Sequence, residues 1–180
     1  MRRWIVFVVI TLASFVLFHM ATLHFIPSTI MSAVQTRMAE RGIPINQWNA
    51  SPRMTPQTQT IVRPSPDLSY AICRFNLREG AVLISAPGWD GYGSLSVFDA
   101  RTNNVLVTNL DGQSAGVLLY HPTKPPKQEG RYYVRTDEEA VAFSGEGVAL
   151  IRRVAPTKAK HNEAAQLVDQ SICSAVNWAP

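Results

Sequence analysis

The densest run of chemically capable side chains lies in three neighbouring stretches, Arg63-Pro64-Ser65-Pro66-Asp67-Leu68-Ser69-Tyr70, Pro87-Gly88-Trp89-Asp90-Gly91-Tyr92 and Phe98-Asp99-Ala100-Arg101-Thr102-Asn103-Asn104. If tight turns bring them together, Tyr70, Arg74, Trp89, Asp90, Tyr92, Asp99 and Arg101 line a polar-aromatic pocket for a small anion or polar ligand. In such a pocket Asp90, Asp99, Tyr70 and Arg74 are the candidate general acid-base and anion-holding groups. The same residues also read as scaffold: Asp90-Gly91 is a turn with Trp89 and Tyr92 packed at its base, and Asp99 with Arg101 is a local ion pair or turn cap. Both readings stay open from the sequence.

Other chemistry finds little support. There is no phosphate-cradling G-x-x-x-x-G-K loop, no G-x-S-x-G nucleophile elbow and no H-E-x-x-H zinc helix. His121 and His161 each lack a second ligand at metal-binding spacing, so neither a metal nor a cofactor is implied. Two cysteines, Cys73 and Cys173, are present without a C-x-x-C pair, which argues against dithiol redox catalysis. Outside the cytoplasm they can form a disulfide closing a loop of about 100 residues, contributing on the order of 4 kcal/mol. Alternatively, both are small buried hydrophobes. The net charge of +4, from 17 Lys and Arg against 13 Asp and Glu, is scattered along the chain, which argues against nucleic acid as a partner.

These residues must be positioned by a β-rich domain. From Ser69 onward, strand-length runs alternate in hydrophobicity: 70–75, 81–86, 94–98, 105–110, 117–121, 132–135 and 148–154. Between them Arg78-Glu79-Gly80, Pro87-Gly88, Asp90-Gly91, Asn103-Asn104 and Asp111-Gly112 supply turn residues, so the strands are expected to be largely antiparallel hairpins. The polar run TKPPKQEG at 123–130 reads as a surface loop. From Lys158, residues Ala164, Leu167, Val168, Ile172 and Val176 fall on one face of a helix that should cover the sheet. The fold class is therefore mainly β (α+β): an antiparallel β-sandwich or open barrel with a C-terminal helix.

The N-terminal part differs. From Trp4 to Ile26 no Asp, Glu, Lys or Arg occurs, which is long enough for a transmembrane helix. Arg2 and Arg3 precede it, so a cytoplasmic tail (residues 1–3) and an external domain follow from the positive-inside rule, with the lipid bilayer as partner of residues 4–26. The expected location is the inner membrane, single-pass, with the C-terminal domain in the periplasm. A cleaved signal peptide has similar composition, but bulky His19, Met20, Leu23, His24 and Phe25 stand where small cleavage-site residues belong. His19 and His24 read as interfacial polar residues. Residues 27–66 read as a helical stalk and a Pro-rich connector. Ser28 caps a short helix with Ile30, Met31, Val34 and Met38 on one stripe, ended by Gly42 and Pro44, and an extended segment runs to Pro66. Residues 67–180 form the β-rich domain.

The block RPSPDLSYAICRFNLREGAVLISAPGWDGYGSLSVFDARTNNV, with the later GVALIRRVAP and LVDQSIC, resembles the bacterial family of unknown function DUF1254 in its short, membrane-anchored form. Pro66, Asp67, Tyr70, Asp99, Thr102 and Asn103 occupy the positions of its proline-aspartate-tyrosine entry and D-x-x-T-N turn. Longer relatives carry a further β domain, DUF1214, and this chain stops at Pro180. The resemblance thus implies that a separately encoded DUF1214-type protein completes the assembly, and it implies no reaction. Two functions remain: a non-catalytic envelope module that binds a partner, and an enzyme or enzyme subunit acting on a small polar periplasmic substrate.

Overall fold

The computed structural model describes residues 2–55, 64–78, 80–121, 141–142 and 145–176. In chain order its elements are helix α1 (Arg2–Glu40), strands β1 (Gln47–Ala50), β2 (Leu68–Asn76), β3 (Ala81–Ala86), β4 (Gly93–Phe98), β5 (Asn104–Asn109), β6 (Ala115–Tyr120), β7 (Val141–Ala142) and β8 (Glu146–Val154), helix α2 (Lys158–Gln166) and strand β9 (Ile172–Val176). The strands form two sheets, one ordered β1-β2-β8-β4-β5 and the other β7-β6-β3-β9. All pairings between strands are antiparallel except the short β6–β7 pair. The mainly β class with an N-terminal helix and a C-terminal helix agrees with the sequence pattern.

Strand periodicity builds the core. In β2 the buried Ala71, Cys73 and Phe75 alternate with Tyr70, Ile72 and Arg74, because successive strand side chains point to opposite faces. Ala149 and Ile151 of the central strand β8 join them, with Leu95 and Val97 of β4. Val82, Ile84, Val117 and Leu119 complete the cluster from the second sheet. Two links tie the sheets together: a disulfide between Cys73 on β2 and Cys173 on β9, whose Cα atoms are 6.5 Å apart, and the Trp48 indole of β1, which donates to the Ile172 carbonyl at 2.9 Å.

The turns do a different job from the one expected. Only β4 and β5, joined through Asp99–Asn103, are consecutive strands that pair as a hairpin among those placed by their turn residues. The segments around Gly80, Pro87–Tyr92 and Leu110–Ser114 carry the chain from one sheet to the other. The expected strand at 132–135 and the loop at 123–130 lie outside the described residues.

Three expectations need correction. No short helix starts at Ser28, because α1 continues through Pro27. Proline deletes one helical hydrogen bond, yet its fixed φ is compatible with a helix, and packing downstream holds the segment: Met31, Gln35 and Met38 are buried against the domain. The Ser28 hydroxyl turns back to the Phe25 carbonyl at 3.0 Å instead of capping. The expected terminator is present. Gly42, at φ +75°, donates to Ala39, and Ile43 donates to Met38, a glycine-closed helix end with Ile43 folded onto the same apolar cluster as Met38.

Within the Pro-rich connector, Gln47–Ala50 is a strand that pairs with β2. Finally, the C-terminal helix ends at Gln166 and tightens into a 3-10 turn at Leu167–Gln170. Residues 172–176 then form β9 against β3. Ile172 and Val176, four apart, share a face in a helix and in a strand alike, and the disulfide and the pairing with β3 select the strand.

Candidate functional site

The register of β8 sorts the seven sequence-derived site residues. Phe98 pairs with Val148 at one end of β8, and Gly93 pairs with Arg153 at the other. Asp99 and Arg101 therefore sit past one end of β4, while Trp89, Asp90 and Tyr92 sit before its other end, separated by a six-residue strand of about 20 Å. On β2, Arg74 lies opposite Val148 and Tyr70 opposite Arg152. The structure thus groups Tyr70 with Trp89, Asp90 and Tyr92, and groups Arg74 with Asp99 and Arg101. It does not bring all seven together.

Most of these groups are engaged in holding the chain. The Tyr70 hydroxyl accepts from the Ser65 amide at 2.9 Å. The Trp89 indole is buried and donates to the Val154 carbonyl at 3.0 Å. Asp99 caps its turn: Oδ1 accepts from the amides of Arg101 (2.8 Å) and Asn103 (2.9 Å), and Oδ2 accepts from the Asn103 side chain (2.8 Å). That turn holds Thr102 at φ +63°. Asp90 is exposed beside Gly91, whose φ of +96° marks the turn.

Arg74 is the pivot between helix and sheet. Its Nε donates to Gln35 Oε1 at 2.8 Å and its Nη1 to the Ile43 carbonyl at 2.8 Å. Buried Gln35 in turn donates to the Gly147 carbonyl at 2.8 Å. Around this polar clamp, Met31, Met38, Val148, Ile43, Ile72 and Phe98 form an apolar cluster. The end of α1 is thereby fixed across the outer face of the five-stranded sheet.

Sequence reasoning missed an adjacent pair, Arg152 and Arg153. Two consecutive arginines in a strand must face opposite ways, so one of them had to enter the sandwich, and that signal was available. Arg153 enters: it is 1% exposed, and its guanidinium lies 5.9 Å from the Trp89 ring, with donations to the carbonyls of Pro87 (3.0 Å) and Ala164 (3.4 Å). Its Nε is without a partner among the described residues, and burial pushes its pKa down to about 10, leaving it charged at neutral pH. Lys160 also stands over Trp89, at 5.1 Å. This cluster closes the end of the sandwich under α2.

Arg152 points to the outer face. It lies in register between Tyr70 of β2 and Ser94 of β4 and donates to Ser96 Oγ at 3.2 Å, while its Nε has no partner among the described residues. The Tyr92 hydroxyl reaches Ser94 Oγ at 3.5 Å. Tyr70, Tyr92 and Arg152 form a part-exposed polar row with one cation over the buried Ser94 and Ser96 hydroxyls, and the cation suits a carboxylate or another anion. Its members supply a charge and hydroxyls, with no acid-base pair beside them among the described residues.

No group of three or more His, Cys, Asp or Glu able to hold a metal occurs among the described residues. His161 is buried at the start of α2, and burial, then the nearby Arg53 charge, lower its pKa below 6.5.

A family model described as a protein of unknown function, DUF1254, matches residues 45–174. Among solved structures the chain is similar to the VPA0106 protein from Vibrio parahaemolyticus, with 15% identity and a TM-score of 0.56 over 81% of this chain and 34% of that one. That likeness concerns the fold alone. A second likeness, to an uncharacterized protein from Burkholderia cenocepacia, has 14% identity and a TM-score of 0.39, covering 66% of this chain and 33% of that one. The chain thus spans about a third of the length of the solved chains it matches. No curated protein matches it.

Proposed function

Since this chain belongs to the DUF1254 family of unknown function, we propose that it is a single-pass, membrane-anchored envelope protein whose β domain binds a partner and performs no chemistry of its own. The observation that carries this reading is the unbroken helix α1. Its first half is apolar on every side and exposed, a surface that water does not tolerate in a soluble protein. Its last turns are built into the domain through Gln35 and Arg74. A helix needed by the fold at one end favours retention of the anchor over removal as a signal sequence.

The orientation has Arg2 and Arg3 in the cytoplasm and the domain in the periplasm of the inner membrane. The buried Cys73–Cys173 disulfide supports an oxidising compartment. The partner is a separately encoded DUF1214-type β protein. The support for it is the family match over residues 45–174 and the partner that the family resemblance implies. The surface it meets is the row of Tyr70, Tyr92 and Arg152, where an acidic partner side chain would pair the Arg152 guanidinium.

The test is size-exclusion chromatography of the full-length chain with a DUF1214-type protein from the same source, alone and with Arg152→Glu. Co-elution that the charge reversal abolishes is the expected result. Separate elution of the two, together with the absence of any thermal shift on adding small anions, would sink the binding-module reading.

A further inference from the structure

The path of α1 over the sheet fixes where a membrane must lie. His24 meets the β4–β5 turn, where the Arg101 guanidinium stands 3.4 Å from both the His24 carbonyl and its Nδ1. Eleven residues on, Gln35 meets β8 at Gly147 and β2 at Arg74, and Ile43 beyond the helix also meets Arg74. The helix therefore advances from the β5 side of the sheet toward β1. Everything before His24 projects outward past the corner formed by the β4–β5 turn and the edge strand β5.

Length agrees with this placement. From Trp4 to Leu23 the helix carries no Asp, Glu, Lys or Arg and is exposed except at half-buried Thr22, and its 20 residues rise about 30 Å, the thickness of a bilayer's hydrocarbon core. The hydrocarbon cannot extend beyond His24, because the polar, turn-capped Asp99–Asn103 segment occupies the helix flank there.

We propose that the β4–β5 turn and the β5 edge are the membrane-contacting corner of the domain, with Arg101 bound to phospholipid phosphate and Val105 and Val107 against the headgroup layer. This rests on the reading of α1 as a membrane anchor. Arg101 is exposed, and the carboxylate beside it in sequence, Asp99, is committed to backbone and Asn103 donors. Its forked donors match a phosphate. Val105 and Val107 are 38% and 59% exposed on the strand that ends its sheet among the described residues, an apolar edge of the kind that proteins normally cover. A headgroup layer covers it here, and the domain is held at a fixed height instead of swinging on a stalk.

The experiment uses the full-length protein in phosphatidylcholine-phosphatidylglycerol nanodiscs containing headgroup-nitroxide or acyl-chain-nitroxide lipid, with its native disulfide intact. An environment-sensitive fluorophore is placed in turn at Val105→Cys, at Asn49→Cys on the opposite edge strand, and at Leu12→Cys in the span. The expected pattern is loss of most fluorescence to headgroup nitroxide at position 105, none at position 49, and acyl-chain quenching at position 12. Arg101→Glu should relieve the quenching at 105, and Arg101→Lys should retain it. Quenching at 12 without quenching at 105 would overturn the membrane-contacting corner and leave the anchor standing. Absence of quenching at 12 would overturn both.

Discussion

Replacing both Cys73 and Cys173 by alanine tests the cross-sheet link. The bridge closes a loop with a sequence separation of 100, and restricting the unfolded chain to that extent contributes about 4.7 kcal/mol in the chain-entropy account. Cys73 is fully buried and Cys173 nearly so, so lost sulfur packing adds to the destabilisation. Against a typical domain stability of about 5–15 kcal/mol, the variant keeps little margin. With a urea slope of about 2 kcal/mol per molar, its unfolding midpoint should fall by about 2 M. The assay is urea denaturation of the full-length protein in mild detergent, followed by tryptophan fluorescence because Trp48 and Trp89 are buried. Thiol titration of the unfolded, unreduced wild type should find no free thiol. A midpoint shift of a few tenths of a molar, or two titratable thiols in the wild type, would refute the reasoning.

The clamp, the pH response and one glycine give further expectations. Arg74→Ala removes two 2.8 Å hydrogen bonds and strands Gln35 Oε1 and the Ile43 carbonyl. It should cost about 2–3 kcal/mol and speed tryptic cleavage at Arg37 and Arg41, read by mass spectrometry. His161 has its pKa lowered below 6.5 by burial and then by Arg53, so its effect on stability is neutral above that value. As pH falls below it, the unfolded chain takes up a proton that the folded site resists, and stability declines until the folded pKa is reached. Chemical denaturation across that range should show the decline, and His161→Gln should flatten it. At Gly147 an added Cβ would collide with the Phe98 carbonyl and the Phe75 ring, so Gly147→Ala should destabilise by about 3 kcal/mol, visible as a lower melting temperature.

What was legible in the sequence is what local pattern dictates. Alternation in residues such as Ala71, Cys73 and Phe75 gave the strands, and the uncharged run from Trp4 gave the apolar helix. The glycine closure at Gly42 was visible for the same reason, since its stereochemistry is local. The failures came where tertiary contacts decide. Ser28 reads as the cap of a separate helix until Met31, Gln35 and Met38 are seen buried on a single helix that runs through Pro27. Residues 172–176 read as helix until their pairing with β3 is known. A turn dipeptide specifies a reversal of direction but not whether the next strand returns to the same sheet. The single pocket of seven residues therefore divides into two ends of β4. Both cysteines were identified, but only the fold could bring their Cα atoms to 6.5 Å.

The central claim is that α1 is a retained anchor with the domain outside the cytoplasm. Maleimide labelling of intact cells tests it directly, because the native cysteines are closed in their disulfide and single cysteines at Arg2 and at exposed Gln113 report the two sides. Labelling at Gln113→Cys alone, on a chain of full length, is the predicted result. Labelling at Gln113→Cys on a chain shortened at its N-terminus, or protection at Gln113→Cys with the cells intact, would contradict the account.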